Sequence, residues 1–112
     1  MKIAIPTANG RLCMHFGHSE QFAIVEVDPG TRTIVGTTWL TPPPHEPGVL
    51  PRWLRENGAD VIIAAGMGRR AQDLFAQSGM EVVVGAPADE PEAIVAAYLS
   101  DTLEAGRNVC DH

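Results

Sequence analysis

The sequence predicts an α/β domain with a mixed sheet, and three observations support this fold class. The second half alternates short apolar segments with helical segments, as parallel α/β folds do. The first half contains β-rich segments separated by turn residues, which is typical of an antiparallel meander. The 112 residues are 45% hydrophobic, enough for one core. We therefore predict a single domain, residues 1–112, with a mixed five-stranded sheet and the order β-β-β-α-β-α-β-α.

The first three predicted strands lie at residues 2–6, 21–27 and 32–39. Apolar or β-branched residues dominate each of them, and the middle strand places Phe22 and Ile24 on one face. The four residues 28–31 (DPGT) fit a type II turn, with Pro second and Gly third. Residues 7–20, between the first two predicted strands, are predicted to form a loop.

The remaining predicted elements alternate in type. A proline-rich stretch at 40–48 is predicted to be a stiff loop, because proline disrupts helices and central strands. Asp89 and Glu92 suggest a capping box, with Pro91 tolerated in the first turn of the last helix. The predicted helices lie at 49–57, 69–78 and about 89–103, and the predicted strands at 60–65 and 80–84.

The segment CMHFGH, residues 13–18, holds three side chains that can bind a metal: Cys13, His15 and His18. Thiolate and imidazole together suit Zn, Cu, Fe or an iron–sulfur cluster. An extended backbone would place Cys13 and His15 on one face, and Gly17 allows a bend that returns His18 to them. The alternative is a packed thiol with two solvated imidazoles.

Three polar loops are predicted to meet at the carboxyl edge of the sheet, where open α/β sheets bind ligands. They carry the 13–18 segment, His45, and the turn Gly66-Met67-Gly68-Arg69. Free N–H groups and guanidinium groups at that turn suggest an anion cradle of Gly66, Gly68 and Arg69. The alternative is a tight turn with solvated arginines.

The C-terminal Cys110-Asp111-His112 repeats the thiol–x–imidazole spacing of Cys13 and His15. Cys110 and His112 are therefore further candidate metal ligands. Three arrangements stay open: a frayed terminus, a return to the 13–18 loop, or contact with a neighbouring molecule.

In combination, these motifs resemble those of the dinitrogenase iron–molybdenum cofactor biosynthesis family. The chain resembles a small stand-alone member of that family. The resemblance implies a ribonuclease-H-like fold, an iron–sulfur or iron–molybdenum-type cluster, and metallocluster donor and acceptor proteins as partners. Four stretches carry it: residues 13–18 followed by Phe22; 44–48 leading to Leu50-Pro51; 66–71 with Phe75 and Gly79; and Gly106 through Asn108 to Cys110-Asp111-His112.

The leading interpretation is therefore a metallocluster carrier or chaperone, with Cys13, His15 and His18 as primary ligands and His45 or the tail completing the set. A structural zinc site or a metal-free interaction module is the alternative, and a metal-dependent hydrolase is less favoured, because no acidic cluster is evident. We expect no enzyme activity. Homo-oligomerisation is left open.

Charge and hydropathy exclude some partners. The net charge is −6, and residues 57–112 hold 9 acidic but only 3 basic side chains. Without a Lys/Arg cluster, nucleic-acid binding is not expected. With no long apolar run, we expect no membrane association and a cytoplasmic location.

Overall fold

The sheet is built around its N-terminal strand, β1 (Lys2–Ala8), which is buried from Ile3 to Thr7. A computed structural model of the chain describes residues 1–16, 19–44, 48–100 and 103. It shows a mixed α/β single domain with three helices. The remaining elements are β2 (Arg11–Leu12), β3 (Gln21–Asp28), β4 (Thr33–Leu40), α1 (Val49–Glu56), β5 (Val61–Ile63), α2 (Arg69–Gln77), β6 (Glu81–Val83) and α3 (Pro91–Leu99).

The strands lie in the order β4-β3-β1-β5-β6, and β2 pairs with β1 outside this path. β1 runs parallel to β5 through Ile3↔Val61 and Ala4↔Ile62. This confirms that the first strand is adjacent to the 60–65 segment. β5 and β6 are also parallel, whereas β1, β3 and β4 pair in antiparallel fashion. The antiparallel meander followed by parallel crossovers is thus confirmed.

The prediction of five strands is wrong, because β2 is a sixth strand within the predicted loop. β1 continues to Ala8, and a tight turn at Asn9 and Gly10 returns the chain to pair with it. Both turn residues have positive φ, of 55° and 79°. Asn-Gly is the preferred sequence for such two-residue hairpin turns, so the signal was present in the sequence.

The last helix differs from its prediction at both ends. Pro91 disfavours helical backbone at the preceding residue. Glu90 is therefore the extended N-cap (φ −68°, ψ 142°), and it makes no side-chain cap hydrogen bond. The Asp89 carboxylate instead accepts the Glu90 N–H at 2.8 Å. The predicted capping box is wrong, and so is the extension to 103, because α3 ends at Leu99.

The turn between β3 and β4 is not the predicted type II turn. A type II turn needs positive φ at Gly30, but the positive φ of 56° is at Arg32. The Asp28 carboxylate accepts the Gly30 N–H at 2.9 Å, and the Asp28 carbonyl accepts the Arg32 N–H at 2.8 Å. This Asx turn stabilises a connection between β3 and β4 that is longer than the predicted type II turn.

The core consists of two layers, one on each face of the sheet. On the α3 face, aliphatic side chains such as Ile5, Val25 and Ile94 pack together. On the α1/α2 face, the buried set includes the aromatic rings of Phe22 and Phe75. Alternation along β3 sends even and odd residues to opposite layers, as predicted.

Candidate functional site

The candidate site lies at the carboxyl edge of β1. The ends of β1 and β4 lie at this edge, since Pro6 pairs with Phe22, which pairs with Leu40. The loop after β2 passes over the end of β1, where the Cys13 N–H donates to the Pro6 carbonyl at 2.9 Å. This hydrogen bond places the start of the 13–18 segment at the predicted edge.

Phe16 joins this loop to the turn that follows β5. Its N–H donates to the Gly66 carbonyl at 2.9 Å. Its ring makes edge-to-face contacts with Phe75 and Phe22, at centroid distances of 5.5 and 6.1 Å. Such aromatic pairs are favourable beyond the area they bury. The convergence of the 13–16 segment with the Gly66 turn, expected from topology, is therefore observed.

Cys13 and His15 do not share one face. Cys13 is only 7% exposed, and its Sγ donates to the His15 carbonyl oxygen at 2.9 Å. The His15 side chain is exposed, because the chain bends at Met14 and His15 rather than remaining extended. The next residue, Phe16, is half-buried and packs its ring against Phe22 and Phe75. The expectation of one shared face is therefore wrong, although both residues remain in one loop.

The other predicted ligands, His18, His45, Cys110 and His112, lie outside the described residues, and their roles remain predictions. Leu40 nevertheless ends β4 at the candidate edge, so the proline-rich segment starts there. Among residues 1–16, 19–44, 48–100 and 103, no three His, Cys, Asp or Glu side chains are grouped to hold a metal ion.

The Gly66 turn presents positive charge at this edge. Gly66 and Met67 are buried, whereas Gly68, Arg69 and Arg70 are exposed. Gly68 is the extended N-cap of α2, with φ −64° and ψ 155°, and α2 has no acidic residue in its first turn. The helix N-terminus and two nearby guanidinium groups therefore make the local potential favourable for an anion.

Two side chains in this region were not singled out by the sequence. Met67 is fully buried, and its carbonyl accepts the Gln72 side-chain amide at 2.8 Å, which fixes the turn. The Ser19 hydroxyl is buried, and it has no hydrogen-bond partner among the residues that the structure describes. A fully apolar Met within a Gly-x-Gly turn is a usable sequence signal for burial, whereas a single Ser carries none.

A separate cavity of about 560 Å³ lies at the opposite, amino edge of the sheet. Glu81 and Tyr98 contribute to its lining, and the Tyr98 hydroxyl donates to the Glu81 carboxylate. Of the predicted site residues, those that the structure describes do not line this cavity. The position of the candidate site therefore follows from hydrogen bonds and sheet topology rather than from cavity size.

Comparison with known proteins agrees with the motifs at the carboxyl edge. The profile of the dinitrogenase iron-molybdenum cofactor family matches residues 1–101. The chain belongs to this family. A relative in Methanocaldococcus jannaschii, the uncharacterized protein MJ0580, is 37% identical over 86 residues, covering 73% of this chain and 72% of the relative.

Solved structures extend the likeness of this family member over nearly its whole length. The crystal structure of PH0822 matches with a TM-score of 0.84 and 27% identity, covering 94% of each chain. A putative dinitrogenase (mj0327) from Methanocaldococcus jannaschii matches with a TM-score of 0.72 and 18% identity, covering 96% of each chain. The apo orange protein from Desulfovibrio gigas matches with a TM-score of 0.70 and 19% identity, covering 96% of this chain and 93% of that one. The last two likenesses concern the fold alone.

A transmembrane helix needs about 20 consecutive, mostly apolar residues. None of the helices in the described ranges has the length and apolar character needed to cross a membrane.

Proposed function

We propose that this chain is a small carrier or chaperone that binds an iron–sulfur or iron–molybdenum-type cluster, or its precursor, as cargo. The observation that carries the proposal is the hydrogen bond from the Phe16 N–H to the Gly66 carbonyl, at 2.9 Å. It holds a loop with thiol and imidazole groups against a positively charged turn. Membership of the dinitrogenase iron-molybdenum cofactor family gives the class of cargo.

The side chains of the loop match the chemistry of such a cargo. Cys13 supplies a soft thiolate when deprotonated, and His15 supplies an exposed imidazole. In the described conformation the Cys13 thiol donates a hydrogen bond to the His15 carbonyl oxygen. Cargo binding through Cys13 requires loss of the thiol proton and of that hydrogen bond. His18 is proposed as the third primary ligand, and either His45 or the tail residues Cys110 and His112 as those that complete the set.

The turn at residues 66–69 is proposed to balance the charge of an anionic cluster. Arg69 and Arg70 are exposed at the start of α2, so they can approach a cargo without prior unfolding. Gly68 lacks a side chain that would cover the helix N-terminus. Backbone N–H groups and guanidinium groups are both good donors to anions.

We further propose that the chain transfers its cargo between donor and acceptor proteins and catalyses no reaction. The described residues supply only part of a ligand set, and an open set allows release. The ribonuclease-H-like assignment belongs to this proposal too. It is supported by the central β1, the antiparallel β3 and β4, and the parallel β5 and β6.

One observation favours a second candidate function, an interaction module in which Cys13 binds no metal. The thiol is buried and hydrogen-bonded to the His15 carbonyl, as expected of a structural cysteine. In this case the same loop would still be held by Phe16, but its polar groups would contact a protein partner.

Anaerobic reconstitution of the full chain with iron and sulfide, followed by absorption spectroscopy and counting of iron and sulfide, tests the proposal. The expected result is a charge-transfer spectrum with a fixed ratio of iron and sulfide to chain. The matched variants are Cys13→Ser and Met14→Ser. Serine at 13 keeps a donor for the His15 carbonyl but is a poor ligand for iron, whereas Met14 is an exposed neighbour.

Loss of loading in Cys13→Ser but not in Met14→Ser is the expected pattern. Absence of bound iron and sulfide in the parent chain contradicts the carrier proposal. Stoichiometric zinc that survives dialysis would instead indicate a structural zinc site. Turnover in a substrate screen with Mg²⁺ or Mn²⁺ would contradict the absence of catalysis.

A further inference from the structure

The sequence contains the dipeptide Asn-Gly twice, at Asn9-Gly10 and at Asn57-Gly58. An asparagine side chain reacts most readily with the backbone when glycine follows it, because glycine has no side chain to hinder the approach of its nitrogen. The intrinsic chemistry of the two sites is therefore the same. A difference in reactivity between them in the folded chain must come from the structure around each site.

The Asn57 site is held by hydrogen bonds at the end of α1. The Asn57 side-chain amide donates to the Trp53 carbonyl at 2.8 Å. The Gly58 N–H donates to the Arg55 carbonyl at 3.0 Å. The side chain that would be attacked and the nitrogen that would attack it are thus both engaged. Reaction there requires the end of α1 to open, next to the Trp53 ring that packs against Phe22.

The Asn9 site lies in the two-residue turn between β1 and β2, and both of its residues are exposed. Within the described ranges, the Asn9 side chain makes no hydrogen bond, whereas its backbone N–H donates to the Glu20 carboxylate at 3.1 Å. A Cβ added at Gly10 would meet no atom within 4 Å, so the space around the turn is open. The turn closes on the Ala8↔Arg11 pair, at the end of a strand of two residues. Local opening here therefore disturbs less structure than opening at the end of α1.

We propose that Asn9 is a site of spontaneous deamidation in the folded chain, whereas Asn57 is protected. The Gly10 nitrogen, after losing its proton to solvent base, attacks the Cγ carbonyl carbon of Asn9. A new C–N bond closes a succinimide ring, the Cγ–Nδ2 bond breaks, and the side-chain nitrogen takes up a proton and leaves as ammonia. Water then opens the ring at either carbonyl and gives aspartate or isoaspartate. Water is the co-reactant, and nothing is oxidised or reduced. The site is independent of the proposed cargo.

The two products differ in their effect on the hairpin of β1 and β2. Aspartate keeps the turn, because Asp-Gly also favours a two-residue hairpin turn. Isoaspartate inserts the side-chain methylene into the main chain, so residues 7–8 and 11–12 can no longer pair in the observed register. β2 leads directly into Cys13, whose N–H donates to the Pro6 carbonyl. The isoaspartate form is therefore expected to loosen the start of the loop that carries Cys13.

Ageing of the full chain in a mildly alkaline buffer, followed by tryptic peptide mapping, tests the proposal. Trypsin places Asn9 in peptide 3–11 and Asn57 in peptide 56–69. Deamidation adds about 1 Da to a peptide, because a carboxyl group replaces an amide. The rate at Asn9 is expected to be at least about tenfold the rate at Asn57, which must first lose two hydrogen bonds. Asn9→Gly keeps a favourable Gly-Gly turn and is expected to show no mass increase in peptide 3–11.

The same measurement on the chain unfolded in urea separates structure from sequence. With both local structures lost, the two sites are expected to react at rates that agree within about twofold. Equal rates in the folded chain overturn the proposal. So does an Asn9 that stays intact in the folded chain while both sites react in urea. A tenfold difference that persists in urea also overturns it, because sequence neighbours rather than the fold would then cause the difference.

Hydrogen exchange of the Cys13 amide tests the expected effect on the loop. The isoaspartate form is isolated from aged chain by ion exchange, since it gains a negative charge, and is identified by enzymatic methylation of isoaspartate. Its Cys13 amide is expected to exchange at least about tenfold faster than in the parent. Asn9→Asp, which has the added charge on an unaltered main chain, is the matched control and should exchange like the parent. Equal exchange in the isoaspartate form and in Asn9→Asp would contradict loosening of the loop.

Discussion

The two faces of the sheet are packed with different kinds of side chain, and only one of them supports the candidate site. The α3 face is filled by aliphatic residues. The α1/α2 face is filled partly by aromatic rings, and Phe16 extends that layer to the loop that carries Cys13. The aromatic layer thus serves both as core and as the base of the candidate site.

This difference shows how an irregular loop can be fixed by a core. The loop donates backbone hydrogen bonds to Pro6 in β1 and to Gly66 in the turn after β5. The Phe16 ring adds contacts with Phe22 and Phe75, which are fully buried. Changes in the aromatic layer should therefore reach the candidate site, whereas changes in the aliphatic layer should not.

The largest effect is expected for Phe75→Ala. Truncation of a fully buried Phe is expected to lower the free energy of unfolding by about 3–5 kcal/mol, because it removes apolar burial and leaves a cavity. Ile94→Ala, its counterpart on the α3 face, is expected to cost about 2–5 kcal/mol. Urea unfolding gives both values. Hydrogen exchange of the Phe16 amide should be faster in Phe75→Ala than the loss of global stability accounts for, and in Ile94→Ala it should not. Equal acceleration in both variants would show that the two layers do not differ in their support of the loop.

Phe16→Ala is expected to have an intermediate effect on stability. The ring is half-buried and makes two edge-to-face contacts, so its loss should cost about 1–3 kcal/mol. The Cys13 amide, which bonds to Pro6, should exchange faster, because the loop loses its anchor. Phe16→Leu, which retains apolar bulk, is the control. Unchanged exchange at Cys13 would show that backbone hydrogen bonds alone hold the loop.

Cys13→Ser separates stability from cargo binding. The serine hydroxyl can still donate to the His15 carbonyl, so the free energy of unfolding is expected to fall by only about 1 kcal/mol. Binding of iron and sulfide should nevertheless be largely lost, because a hydroxyl is a poor ligand for soft iron. Chemical denaturation and metal counting on the same sample measure both. A variant that loads like the parent would remove Cys13 from the proposed ligands.

The smallest effect on stability is expected for Arg69→Glu. This substitution should stabilise the fold slightly and weaken cargo binding. An acidic residue in the first turn of α2 interacts favourably with the helix dipole, by about 0.3–1 kcal/mol. Stability should therefore rise slightly, while affinity for an anionic cluster falls at low salt. Gln77→Glu, at the other end of α2, is the control. Equal cluster affinity in parent and variant at low salt would mean that Arg69 is only solvated.

Much of the fold was determined by local sequence patterns. Alternation of apolar residues fixed which face of β3 each side chain occupies, because side chains alternate with period two. The apolar 60–65 segment predicted a strand, and β5 lies there with all three of its residues buried. Gly58 and Gly79, at φ 85° and 84°, end their helices with left-handed backbone that glycine adopts at little cost.

Other features depended on competition between neighbouring signals. Pro91 moved the cap of α3 to Glu90, because it excludes helical backbone at the residue before it. The carboxylate of Asp28 organised its turn in place of the expected type II geometry. Each signal was visible in the sequence, but the sequence alone did not show which would prevail.

The composition of the candidate loop was determined by the sequence, whereas its geometry was decided by the tertiary structure. Spacing alone identified Cys13 and His15 as a pair, and topology placed them near Gly66. Their separation into a buried thiol and an exposed imidazole accompanies the packing of the half-buried Phe16 ring against Phe22 and Phe75. Those rings are distant in the chain, and only the folded sheet brings them together. Loop conformation therefore followed from long-range packing that no local pattern encodes.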